Sequence, residues 1–158
     1  MHPVLRTVLA LPAVIAARPN DADTAYGELE RAGRIAERLG DGHSEFNTEF
    51  GPTNVRLYEI AVAVELGDAG RALRAAATVD ASGLSAERQG RMLIDVARAH
   101  AQRRQIGEAV AALVQAEDIT PELIRGHDLA RQLVSDLLTM QDPPGSELRG
   151  LAERLTVR

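Results

Sequence analysis

Four histidines (His2, His43, His100 and His127) and 23 Asp and Glu residues are the side chains that could serve as bases, acids or metal ligands. A zinc protease would place two histidines four apart with a glutamate next to the first, and a structural zinc site would use thiolates. No histidine pair has that spacing and the chain has no cysteine. Neither a dedicated metal site nor a disulfide framework is therefore expected. His127-Asp128 sets a possible base beside an acid, but adjacent residues on a helix do not face each other, so a capping role ahead of Leu129 is expected. His100 falls on an apolar helical face and is expected to be a packed imidazole. Glu28/Glu30 and Asp21/Asp23 fit a solvated face and an acidic helix start better than a catalytic dyad. Arg103-Arg104 suits a helix C-terminus, where the dipole favours cations, and two arginines alone make no nucleic-acid site. The sequence contains no GxSxG, Walker A or GxGxxG pattern. The expectation is a protein that is not an enzyme and takes no cofactor or metal.

The elements that would carry these residues are foreshadowed by composition. The chain has 158 residues, of which 45% are hydrophobic and 26% charged. That mixture excludes a disordered polyampholyte and a multi-span membrane protein. The apolar content is chiefly 26 Ala, 19 Leu, 12 Val and 7 Ile, with no Trp and 3% aromatic residues. Ala and Leu head the helix-propensity scale, and small side chains let helices approach closely. The net charge of -5 makes nucleic acid a poor default partner. All 18 basic residues are Arg, which reads as codon bias in a GC-rich genome.

Spacings of three and four among Ala25, Leu29, Ala32, Ile35, Ala36 and Leu39 predict an amphipathic helix over 22–39, preceded by the capping residues Asn20 and Asp21. The segment Asp41 to Pro52 lacks helical period and is expected to be an ordered loop pinned by Phe46 and Phe50. Further helices are expected over 53–66, 69–79, 86–104, 107–118, 127–140 and 146–155, with another beginning at Thr120-Pro121. Gly67 should stop the first of these and Ser85 should cap the 86–104 helix. No strand is expected, because no run alternates for long enough. The fold class is all-α.

Two turns reveal an internal repeat. Gly67-Asp68-Ala69-Gly70-Arg71-Ala72-Leu73 and Arg104-Gln105-Ile106-Gly107-Glu108-Ala109-Val110 each join a helix to an Ala-rich partner, with Ala72 and Ala109 separated by 37 positions. That period is near the roughly 34 of tetratricopeptide repeats. Over Gly90 to Leu123 the resemblance is good: Leu93, Val96, Ala97 and His100 occupy first-helix packing positions, and Ala109, Leu113, Ala116 and Pro121 follow at second-helix spacings. In the copy starting at Thr53, Glu59 falls where an apolar residue is usual. The expected domain is single, with hairpins at about 3–40, 53–80 and 85–118 and capping helices at about 121–155, stacked as a short right-handed solenoid.

The strings Phe50-Gly51-Pro52-Thr53-Asn54-Val55, Ala61-Val62-Ala63-Val64-Glu65-Leu66-Gly67-Asp68 and Asp95-Val96-Ala97-Arg98-Ala99 carry a closer resemblance, as does the ending Glu147 to Leu155. The chain resembles the tetratricopeptide-like C-terminal region of actinobacterial XRE-family helix-turn-helix transcriptional regulators. The resemblance implies a regulatory or partner-binding role, and it does not reach the DNA-binding part of that family. In such arrays the first helix of each hairpin lines the concave face. The implied groove for a protein or peptide comprises Asn54, Leu57, Ala61, Val64 and Glu65 from one repeat and Arg91, Ile94, Arg98, Ala101 and Gln102 from the next. The chaperone-tail class of these repeats is disfavoured, since it grips a carboxylate with Lys and the chain has none. The competing expectation is a structural oligomerisation module or remnant of a longer regulator.

The most apolar stretch, residues 3–17, is interrupted by Arg6, Thr7 and Pro12 and is shorter than the roughly 20 residues that span a bilayer. It is expected to be a buried helix in a cytoplasmic protein rather than a signal peptide. Its residues Val4, Leu5, Val8 and Leu9 belong to an apolar surface broader than one stripe, so a homodimer through them is expected.

Overall fold

A computed structural model describes residues 22–39, 44–45, 48–49 and 51–157. The described elements are α1 (Ala22–Leu39), β1 (Ser44–Glu45), β2 (Thr48–Glu49), α2 (Pro52–Glu65), α3 (Ala69–Ala76), a 3-10 turn (Ala81–Gly83), α4 (Ala86–Gln102), α5 (Ile106–Ile119), α6 (Pro121–Gly126), α7 (Asp128–Met140) and α8 (Ser146–Arg154). The chain is all-α in class, and the helices start and stop within a few residues of where periodicity and caps put them. The helix expected at 3–17, the caps Asn20 and Asp21, and the rings of Phe46 and Phe50 lie outside the described residues. The absence of strands is corrected in one place: β1 and β2 form an antiparallel ladder pairing Ser44 with Glu49 and Glu45 with Thr48. Strands of two residues are too short to leave an alternation in the sequence.

The chain divides into two compact units, one ending at Asp80 and the other beginning at Ala81. In the first unit, Ala25, Leu29, Ala32 and Ala36 of α1 are buried with Val55 and Val62 of α2, and Tyr26, Ile35, Tyr58 and Leu66 pack around them. These α1 positions recur every three or four residues, which puts them on one face. The helices α2 and α3 form a hairpin. In the second unit, α4 and α5 form the more extensive hairpin. Its core runs through Leu93, Ile94 and Ala97, then Ala109, Leu113 and Ala116, and continues through Ile124, Val134 and Leu137 to Leu148 and Leu151. The capping helices α6, α7 and α8 thus share one core with the α4–α5 hairpin.

The 37-residue repeat is also present in the hydrogen bonds. After α2, Gly67 has φ +76° and its N–H donates to Val64 O (3.1 Å), while Asp68 N–H donates to Ala63 O (2.8 Å). After α4, Arg104 has φ +57°, its N–H donates to Ala101 O (2.9 Å), and Gln105 N–H donates to His100 O (2.9 Å). Both are Schellman caps, in which one left-handed residue lets two amides close onto the last helical carbonyls. Ala72 and Ala109 then enter the hairpin contact with no exposed surface at all. The second copy differs at the left-handed position, where Arg replaces Gly.

Gly90 lies within α4, one turn past its Ser85 cap. A Cβ there would overlap Thr120 Cγ2 and lie 3.0 Å from Leu123 Cδ2, so the missing side chain is what lets the α5–α6 junction lie against α4. Ser85 caps as expected, its hydroxyl accepting from Arg88 N–H (3.3 Å), and Pro121 opens α6 where its missing N–H costs nothing.

Candidate functional site

Glu59, the residue out of place in the repeat pattern, holds together a polar node in the first unit. Its carboxylate accepts from Arg71 Nε of α3 (3.0 Å) and from Arg56 Nη1 of α2 (2.7 Å). Arg71 also stacks on Tyr26 of α1, with its guanidinium carbon 3.6 Å from the ring centre. The Tyr26 hydroxyl donates to Asp68 Oδ2 (3.1 Å), and Asp68 Oδ1 caps α3 by accepting from Arg71 N–H (3.1 Å). Three helices meet through a cation–π contact and charge-assisted hydrogen bonds in place of an apolar side chain. Burial, and then the Asp68 carboxylate, push the Tyr26 phenol up to about 12. It stays a neutral donor throughout the physiological range.

This node forms one wall of a cleft of about 290 Å³ between α1 and α2. The floor is Leu29, Gly33, Pro52 and Val55. One side carries Arg56, Glu59 and Arg71, and the other carries Glu30, Arg34 and Glu37 of α1. The three α1 residues follow the i, i+4, i+7 spacing that puts side chains on one helical face. Nothing in the sequence reading singled out this cleft, since each of its charges taken alone reads as a solvated residue.

The expected groove residues fall five and five in the two units. In the first, Leu57 and Ala61 are half-buried, Glu65 is exposed and Asn54 is half-buried at the start of α2, whereas Val64 is only 1% exposed. In the second, Arg91 is exposed and paired with Glu87 (3.0 Å), and Arg98, with a side chain 19% exposed, pairs with Asp95 (3.3 Å). Gln102 is exposed. Ile94 is a correction: at 1% exposure it belongs to the core of the second unit and offers nothing to a ligand. Ala101, at 5%, is likewise a core residue. The helix α4 turns one apolar face inward, and Ile94, Ala97 and Ala101 share it through their spacings of three, four and seven. The expected dimer residues Val4, Leu5, Val8 and Leu9 lie outside the described residues.

The histidines divide as well. His100 is half-buried with Nδ1 2.8 Å from Gln105 Oε1, tying the end of α4 to the residue that precedes α5. His127 stands at the N-cap of α7, yet its side chain makes no capping hydrogen bond, and its Nδ1 is buried without a partner among the described residues. Burial first, then the charge of Arg91, hold the His127 imidazole below its ordinary range against the opposing pull of Asp128. The capping expectation therefore holds for position and fails for the bond. Glu117 of α5, buried at 8% exposure, is paired by Arg154 of α8 through three contacts of 2.9 to 3.0 Å. Among the described residues no cluster of His, Asp or Glu is placed to hold a metal ion, and no helix is long and apolar enough to cross a membrane.

The fold of the described residues defines a protein of all-α class held by helix–helix packing. Compared with protein-family models, with curated proteins and with solved structures, the chain gives no match.

Proposed function

We propose that the chain is a tetratricopeptide-like module that binds a protein or peptide and serves in regulation, resembling in this the repeat region of XRE-family transcriptional regulators. On this reading the hairpins stack as a right-handed array closed by the helices after Pro121, and the module works in the cytoplasm without itself touching nucleic acid. The supporting observation is the repeat itself: the same Schellman turn and the same fully buried alanine recur 37 residues apart. Repeats of this kind offer the same helical face at successive positions, which suits them to extended partners. The residues assigned to the partner are Asn54, Leu57, Ala61 and Glu65 on the first unit and Arg91, Arg98 and Gln102 on the second, with Ile94 withdrawn. Pull-downs from the native host with wild type, Arg91→Ala and Arg98→Ala test the assignment. A protein recovered by wild type and lost with both variants is the expected outcome. Identical recoveries from all three would remove the partner site from this helix.

A further inference from the structure

We propose that the cleft between α1 and α2 binds a small zwitterion of the α-amino-acid class, its carboxylate against Arg56 and Arg71 and its cation against Glu30 and Glu37. The inference goes beyond partner binding and does not depend on it. It starts from the charge on the two walls. Of the residues that line one wall, two are the guanidinium groups of Arg56 and Arg71 and one is the Glu59 carboxylate they share, at 2.7 and 3.0 Å, so the lining of that side carries an excess positive charge; Asp68, engaged by the Tyr26 hydroxyl and the Arg71 amide, lies outside the lining. On the other, two glutamates flank the single cation of Arg34. Among the described residues, neither Glu30 nor Glu37 has an ion-pair partner. The cleft is neutral in sum and polarised across its width, so a ligand with one charge would satisfy one wall and crowd the other.

The positive wall is fixed before any ligand arrives. Arg71, which lines the cleft, is held by its Nε on Glu59 and by its flat face on Tyr26, and neither contact is a hydrogen bond from its terminal N–H groups. A guanidinium held in this way loses little freedom on meeting a carboxylate, and its fork matches the two oxygens. Size argues against an extended peptide: about 290 Å³ stands at the lower edge of the roughly 300 to 1,000 Å³ typical of small-molecule sites. The apolar floor of Leu29 and Val55 suits an aliphatic side chain.

Calorimetry and thermal unfolding with leucine, glutamine and arginine as probes test the proposal, with acetate and methylammonium as single-charge controls. At least one amino acid should bind with Kd below about 1 mM, and neither control should bind. Arg56→Ala and Glu37→Gln should each weaken that binding by about tenfold or more, as for loss of a charged hydrogen bond. Both positions are exposed, so circular dichroism should show the fold of each variant unchanged. The proposal is overturned if no amino acid raises the melting temperature at about 10 mM, if binding survives both substitutions, or if acetate alone binds as well.

Discussion

Arg104 and His127 are two residues whose local environment works against them. Arg104 occupies the left-handed region at φ +57°, which costs a residue with a Cβ about 1 kcal/mol or more relative to glycine. Arg104→Gly should therefore raise the stability by about 1 kcal/mol, and Gly67→Ala at the equivalent turn should lower it by a similar amount, both read from denaturant midpoints. A destabilised Arg104→Gly would mean that the Arg104 side chain contributes more than its backbone loses. For His127, the folded imidazole titrates below 6.5, its value in the unfolded chain. Between the two values the unfolded state binds more protons, so stability holds above 6.5, falls as pH drops through it, and levels off below the folded value. His127→Gln should flatten that acid limb in unfolding measured from pH 8 to 5; an unchanged limb would assign it to other groups.

Between elements, the missing side chain of Gly90 matters more than its helix propensity. In an exposed helix, Gly to Ala gains up to about 1 kcal/mol, and Gly107→Ala should show that gain because nothing lies within 4 Å of the added methyl. Gly90→Ala should instead cost about 1 to 3 kcal/mol, since Thr120 and Leu123 fill the space. Opposite signs for the two substitutions in parallel thermal melts are the expected result, and equal signs would mean that α6 moves away freely. The α4–α5 hairpin was legible in the sequence because Ala109, Leu113 and Ala116 repeat at a helical period and are all fully buried. The shortness of α3, which ends at Ala76 rather than Val79, was not, since Ala77 and Val79 prolong the same apolar pattern without a stop residue.

For the whole molecule, the apolar stretch carrying Val4, Leu5, Val8 and Leu9 leads to a prediction about assembly. The helix that the sequence leads one to expect there would be apolar around most of its circumference, with more surface than one neighbour covers, and a twofold contact closes where a head-to-tail one would polymerise. The chain should run as a dimer in light scattering at tens of micromolar, and Leu9→Glu should convert it to a monomer. A monomeric wild type, or a dimer indifferent to Leu9→Glu, would place that surface inside the fold or against another protein.

By itself the sequence determined the all-α class, the extent of most helices, the 37-residue spacing of the two turns, the stop at Gly67 and the cap at Ser85. Each of these follows from interactions between residues a few positions apart, namely helical periodicity, capping bonds and the left-handed tolerance of glycine. Only the tertiary structure decided that Ile94 faces the core, that Gly90 is kept by Thr120, and that Glu59 meets Arg71 and lies across a cleft from Glu30 and Glu37. Those facts depend on which helical faces meet, and a charge 12 to 42 residues from its partner, as Glu59 is from Arg71 and Tyr26 from Asp68, has no local period to reveal the pairing. The physical reason is range: backbone hydrogen bonds and side-chain spacing act within a turn or two, whereas burial and ion pairing are settled only when the helices pack.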